Sequence, residues 1–553
     1  MMSIVLFLVS IVGCKGQKEQ YSLAELMKKT VVTAAPGQLP LTDTKAELTV
    51  MVARPAHVAD LDANFVTEWY EEYTNVRVKY IQLPESNARE LANLQIATGD
   101  YADIVMSAGM GVTGEARYAD QGIFIPIDEL IAQQGYWYHK AEERTPGITK
   151  IITQSDGRIY GLPIINQAFH FFFPMKAWIN SEWLDKLGIS MPQTTDEFYR
   201  MLKAFATMDP NGNGIADEIP MMGHKDWDFS APYGFLLNSF VYFDPATFLA
   251  MDNGKVKFVA DTEDFRDGLR FIAKLVDEGL LNKISFTQTS DQAKVIGTNL
   301  AAPLVGVFTD FVWWNVVGQR TDMPDSRADK YVGLSPLQGP KGVRYSPQVF
   351  NGISQAVAHI TDKAKDPVLA FRWLDALYGE EATLNFHMGL KGVMRDDPDP
   401  GSLGINGKPA LWKKLQYPYD TTVGNPNVAD NNFLGNRYSD LRLGEQADWD
   451  NPNTQFEQEP KLYMETLTKF YPFGPTDAEM FPLNLNHTLD ETNELSRLAS
   501  QIRTYVHENI VAFATGNKNL DRDWDAYVRE FRQLGLSRLL EIRQTAYDRQ
   551  YGR

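Results

Sequence analysis

Cysteine occurs once in the 553 residues, at Cys14. A single thiol rules out an intramolecular disulfide and any metal site built from several cysteines. Long apolar runs are missing too. Ile4–Val12 (IVLFLVSIV) is far shorter than the ~20 residues that span a bilayer, and no later segment offers a long uncharged apolar stretch. Basic charge is in short supply. The 53 Lys and Arg face 71 Asp and Glu, a formal charge of -18, which repels a polyphosphate at long range and argues against nucleic acid as a partner. The chain has no H-E-x-x-H and no G-x-S-x-G; Val105–Gly109 (VMSAG) lacks the first glycine of the latter. There is no internal repeat and no low-complexity tract.

What is present describes a folded chain. Hydrophobic residues make up 44% and charged residues 22%, ordinary for a globular protein. Since single cores stop growing near ~250–300 residues, this length predicts two lobes. The 11 Trp and the aromatic share of 12% supply a large core and leave rings to spare for stacking on apolar ligand faces. Ile4–Val12 has the length of a secretory signal core. It runs into Ile11-Val12-Gly13-Cys14, which resembles a lipobox. The reading is a signal peptide over 1–13, cleaved so that the Cys14 thiol carries diacylglycerol and acyl chains such as palmitate. Met1-Met2-Ser3 lacks the usual Lys or Arg ahead of the apolar run. Residues 14–45 are polar and mixed and are read as a lipidated tether.

In the body, Leu48–Val52, Val76–Leu83 and Ala102–Ser107 read as strands. Asp60–Tyr73 and Ala88–Thr98 read as helices, the latter stopped by Gly99-Asp100. This alternation predicts an α/β sheet covered by helices, with ligands at the carboxyl ends of the strands. Gly109–Gly114 (GMGVTG) matches G-x-G-x-x-G, but without a clear acidic residue ~20 positions on; glycines that let a cleft loop turn account for it as well. Glu494–Phe513 and Arg522–Tyr547 carry helical packing stripes, so the C-terminal region is helix-rich.

Several stretches match one family in order. Gly99–Val105 (GDYADIV) resembles a G-D-x-P-D segment, with Ala102 in place of Pro. Ser155–Pro163 (SDGRIYGLP) is similar to D-G-K-x-Y-G-x-P. Trp183–Phe198 (WLDKLGISMPQTTDEF) resembles W-L-D-K-L-G-x-x-x-P-x-T-x-D-E-F, and Asp523–Tyr547 is similar to the tail of LipO-type lipoproteins. On these blocks the chain resembles the extracellular solute-binding proteins of carbohydrate ABC importers, including alginate-binding members. The resemblance implies a two-lobed periplasmic-binding-protein-like fold (type II) that closes by hinge motion. It further implies a monomer tethered to the outer face of the cell membrane that delivers an oligosaccharide to permease subunits, without catalysis. The expected division is 46–163 in the N-terminal lobe, 164–300 in the C-terminal lobe, 301–350 returning to the N-terminal lobe, and 351–553 completing the C-terminal lobe.

Asp209–Pro220 (DPNGNGIADEIP) is the sharpest chemical motif. Calcium takes six to eight hard oxygens on a turning loop. Asp209, Asn211 and Asn213 stand at positions 1, 3 and 5 of an EF-hand-like pattern, with Gly214 at the turn, the Ile215 carbonyl at 7 and Asp217 at 9. Pro220 replaces the bidentate Glu at 12. The resemblance to alginate-binding relatives implies that Asp217 and Glu218 together close a structural calcium site. Candidate sugar contacts are Arg54 and Ser107 at strand ends, and Gln167, His170 and Phe171 after the Tyr-Gly-Leu-Pro crossing. Trp227 and the pair Trp313-Trp314 complete the set, with core packing the competing role for each aromatic. Two other readings stay open: a secreted polysaccharide-degrading enzyme, whose two carboxylates cannot be picked out among so many acids, and a receptor for a peptide or another small solute.

Overall fold

The computed structural model describes residues 23–55, 58–318, 327–349, 351–415, 435–447, 458–482 and 484–552. Cys14 and the expected signal peptide lie outside them. The longer strands are β1 (Ala46–Arg54), β2 (Val76–Pro84), β3 (Ile104–Met106), β4 (Leu162–Ile165), β5 (Ala177–Asn180), β6 (Ile219–Met222), β7 (Leu249–Asp252), β8 (Lys255–Phe258), β9 (Val305–Thr309), β10 (Tyr331–Leu334) and β11 (Ile353–Ile360). One sheet has the order β2-β1-β3-β11-β4 and a second β10-β5-β9-β6, with β7 and β8 as a separate hairpin. The fold is mixed α/β, as the sequence predicts.

Each sheet is apolar on both faces because alternate residues of a strand point to opposite sides. On β1, Leu48, Val50 and Val52 enter one core while Met51 and Ala53 enter another. On the second sheet, Ala177, Ile179 and Val307 face one core, and Trp178 and Phe308 the other. Helices cover these faces. Leu495, Leu498, Ile502, Val506, Ile510 and Phe513 of the helix Leu489–Ala514 are all buried, as their spacing predicts. The helix Ala88–Thr98 has its expected bounds and ends on Gly99 at φ 79°.

The strand pairings differ from the expected division. Residues 301–350 contain β9 and β10, which join the second sheet beside β5, whereas β11, at 353–360, enters the first sheet between β3 and β4. Residues 351–553 are therefore shared. The helix Pro367–Ala376 packs with the first sheet, and Leu489–Ala514 with the second. Nor do residues 23–45 hang free as a tether. Leu23 and Leu41 are buried in the first sheet's core. The Arg372 guanidinium, itself buried, donates to the carbonyls of Ala34 at 3.1 Å and Ala35 at 2.9 Å. The expected helix Asp60–Tyr73 starts later, at Phe65, where the Asn64 side chain caps the Val66 N–H. The expected tail helix is two, Trp524–Gln533 and Leu536–Tyr551, broken at Gly535, whose φ is 84° and where a Cβ would lie 2.8 Å from Leu498 Cδ2.

β1, β3 and β4 run in the same direction, as do β6, β9 and β10. Among the described residues two crossings join the carboxyl edges of the sheets: 166–176, from β4 to β5, and 335–352, from β10 to β11. They bond to each other through Asn166 N to Gly352 O at 2.8 Å and Val349 N to Phe172 O at 3.0 Å. These edges are where the ligand side chains of open α/β sheets gather. No helix among the described residues is long and apolar enough to cross a membrane.

Candidate functional site

On the second sheet, the chain leaving β6 turns at Gly223 and crosses the end of β9. Gly223 is required there: a Cβ would stand 2.5 Å from both Ser230 O and Thr309 Oγ1. The Thr309 hydroxyl donates to Ser230 O at 2.6 Å, holding the far end of the loop. The loop presents Trp227, 41% exposed, stacked on Phe229 with ring centroids 5.5 Å apart and an interplanar angle of 20°. Phe229 meets Phe311, which follows β9, edge-on at 5.5 Å. Phe311 stacks at 5.2 Å on the exposed Phe171 of the 166–176 crossing. Trp227, Phe229, Phe311 and Phe171 thus form one row of rings along the carboxyl edge of the second sheet, and an edge or face of such rings suits the C–H faces of a sugar.

Beneath the row the polar groups are buried and paired. Asp310 bonds His224 Nε2 at 2.7 Å and accepts from Asn315 Nδ2 at 3.0 Å. Burial pulls the Lys176 ammonium down to about 7, against the pull of Asp310. Its Nζ donates to His170 O at 2.8 Å and Phe173 O at 2.6 Å, fixing the crossing that carries Phe171.

The expected contacts divide. Phe171 and Trp227 stand in the ring row. Trp313 does not: it is fully buried, edge-on to Trp178 at 5.2 Å with the Lys461 ammonium 4.6 Å from its ring centre. Trp314, half-buried, opens the short helix Trp314–Val317 against Trp313, so the pair lies on a helix start and not on a strand. His170 is buried, and burial with Arg437 and Lys176 nearby holds its imidazole well below its ordinary value. Gln167 has both amide ends engaged, donating to Thr145 Oγ1 at 2.8 Å and accepting from Ser439 N at 3.2 Å. On the first sheet, Arg54 ends β1 with its guanidinium on the Val58 carbonyl, and Ser107 follows β3 at φ 51° with its N–H on Val357 O. Gly109 and Gly111 take positive φ to turn into the helix Gly111–Asp120, and a Cβ on Gly114 would press Met110 at 3.1 Å, so the glycine pattern serves the turn. Sequence reasoning missed Phe229 and Phe311. Their signal was position alone, in the loops that follow β6 and β9.

The loop 209–218 leads into β6. Asp209, at φ 48°, accepts from the N–H groups of Gly212, Asn213 and Gly214 at 2.9–3.1 Å. Asp217 receives the amides of Asn211 at 2.8 Å and Asn213 at 3.1 Å, so these expected donors meet. Glu218 Oε1 is buried without a hydrogen-bond partner, and burial with Asp209 and Asp217 nearby raises its carboxyl. Among the described residues no three His, Cys, Asp or Glu side chains group as a metal cluster. Here the donor set mixes carboxylates with Asn oxygens and the carbonyl of the exposed Ile215, the hard-oxygen set that fits calcium.

A family model described as "Bacterial extracellular solute-binding protein" matches residues 55–384. The fructooligosaccharide ABC transporter substrate-binding protein FusA of Streptococcus pneumoniae is 26% identical over 528 residues, covering 92% of this chain and 91% of that protein. Lipoprotein LipO of Bacillus subtilis is 26% identical over 364 residues, 62% of this chain and 66% of LipO. A solved structure of a FusA EF-hand mutant with fructo-nystose superposes with a TM-score of 0.69 at 24% identity, covering 92% of this chain and 99% of that one.

Proposed function

We propose, on the premise that this chain belongs to the bacterial extracellular solute-binding proteins, that its ligand is an oligosaccharide which it captures between two lobes and passes unchanged to an ABC permease. The observation that carries this reading is the row of four rings from Trp227 to Phe171 on the edge that the two crossings hold opposite the strand ends bearing Arg54 and Ser107. A row of this length offers successive stacking positions to an oligomer. The substrate named for FusA, aligned over most of both chains, supports the same ligand class. Hinge closure about 166–176 and 335–352 would bring Arg54 and Ser107 to the far side of the sugar. Binding without turnover fits the family, and no separate enzymatic role is proposed.

Calcium is proposed as a structural ion held by Asp209, Asn211, Asn213, the Ile215 carbonyl, Asp217 and Glu218. The orphaned Glu218 oxygen and the EF-hand of the FusA relative support it. The ion would neutralise three neighbouring carboxylates and brace the entry to β6. We also propose a monomer anchored through lipid on Cys14 to the outer face of the membrane, in keeping with the LipO relationship.

The test is calorimetric titration of the soluble form, lacking residues 1–14, with fructo-nystose and a panel of neutral and uronate-containing oligosaccharides, with and without calcium. Saturable one-to-one binding with the sugar recovered intact is expected. Absence of heat from every sugar refutes the ligand class, and a cleaved product refutes binding without turnover.

A further inference from the structure

The loop between β6 and the short helix Pro232–Leu237 alternates acids and rings: Asp226, Trp227, Asp228, Phe229. The two rings stack on each other in the exposed row. The two acids are tied to other elements. Asp226 Oδ2 accepts the N–H of Ser290, at the start of the helix Ser290–Gly297, at 2.7 Å. Asp228 forms an ion pair with Arg503, and His507 Nε2 lies 3.5 Å from its other oxygen. Arg503 and His507 are one turn apart on the helix Leu489–Ala514, as neighbours on one face must be. His507 is in turn held, its Nδ1 hydrogen-bonded to the Tyr233 hydroxyl at 2.9 Å and its ring edge-on to Phe248 at 5.3 Å.

We infer that Asp228 is a positioning residue of the sugar site: through Arg503 and His507 it fixes the loop so that Trp227 and Phe229 project as a preformed stacked pair. An exposed loop whose rings were free to rotate would have to be ordered at each binding event, which weakens affinity. The anchoring helix is also the one that packs against Gly111–Asp120, the helix following β3 on the opposite sheet. The ring loop is therefore fastened to a helix that also touches a helix of the first sheet's layer.

The inference rests on the reading of the ring row as a sugar platform, and the experiment separates the two. Fructo-nystose, or the panel sugar that binds tightest, is titrated into the native protein, Asp228→Ala, Arg503→Met, Trp227→Ala and the two double variants that contain Trp227→Ala. Arg503→Met breaks the same contact from the helix side should Asp228→Ala fail to fold. Each single loss of the ion pair is expected to weaken binding about tenfold. Each is expected to weaken it by clearly less once Trp227 is gone, because only the part of the effect that runs through Phe229 is then left. If Trp227→Ala weakens binding while Asp228→Ala and Arg503→Met do not, the positioning role is overturned and the platform stands. If the losses add fully in the Trp227→Ala background, Asp228 acts by another route and the inference is again overturned. If Trp227→Ala binds normally, or no panel sugar binds the native protein, the platform reading falls and takes the inference with it.

Discussion

Trp227 and Trp313 are the sharpest contrast the structure offers, because both are tryptophans and only one presents its ring to solvent. Trp227 keeps 41% of its surface exposed. A tryptophan presents roughly 250 Å² at most, so about 100 Å² is on offer, and a single sugar face covers between half and all of it. At ~25 cal/mol per Å² that burial contributes about 1.3–2.5 kcal/mol, so Trp227→Ala should raise Kd by about 10- to 70-fold. Its melting temperature should move much less than that of Trp313→Ala, since its covered part packs on the loop neighbours His224 and Phe229 and not within a hydrophobic core. Trp313 is fully buried, and removing it leaves a cavity that costs about 3–5 kcal/mol of folding stability. Trp313→Ala should therefore melt several degrees lower while the folded fraction binds sugar with near-native affinity. Calorimetric titration and differential scanning calorimetry on both variants check this. Trp227→Ala within twofold of the native Kd, or Trp313→Ala losing affinity at an unchanged melting temperature, would refute the assignment of the two rings.

Chelating calcium should destabilise the lobe that contains the loop. At a calcium concentration 100 times its Kd the ion contributes about 2.7 kcal/mol, which for a cooperative unit of ~250 residues is a melting shift of about 5 °C. Asp209→Ala should abolish the response to added calcium, and a native protein whose melting ignores both calcium and chelator would refute the site. A second prediction concerns Glu115, whose carboxyl burial raises from an ordinary 4.5 to about 8, with Asp156 adding to the shift. The folded state keeps a proton that the unfolded chain loses, so this group's stabilisation is full below about 4.5 and is lost as pH rises to about 8, at ~1.4 kcal/mol per pH unit. Glu115→Gln retains an acceptor for the Gln154 amide. Urea unfolding at pH 5 and pH 8 should show the variant losing less stability than the native protein by up to ~4 kcal/mol; parallel losses would refute the shift. Finally, Arg372→Met should free the 33–41 segment that its guanidinium clamps. Faster amide exchange at Thr33, whose N–H bonds Leu41 O at 3.0 Å, is the expected result, and native protection there would refute the clamp.

The sequence by itself determined what depends on neighbours a few residues away. The Leu495-to-Phe513 stripe became a helix with those residues buried. Ala88–Thr98 ended where Gly99 lets the chain turn left-handed. The 209–218 spacing brought Asp209, Asn211, Asn213 and Asp217 into one hydrogen-bonded loop. The tertiary structure alone decided partnership between distant segments. A fully apolar strand such as Val305–Thr309 reads the same whichever sheet receives it, so only pairing with β5 and β6 placed it in the second sheet. An aromatic residue likewise carries no local mark of its destination. Trp313 went into the core and Phe229 and Phe311 into the half-buried middle of the ring row because of what packs beside them: Trp178 and Lys461 in one case, the crossing that carries Phe171 in the other. Local periodicity encodes which face of an element is apolar, but which apolar surface meets it is set by contacts far apart along the chain.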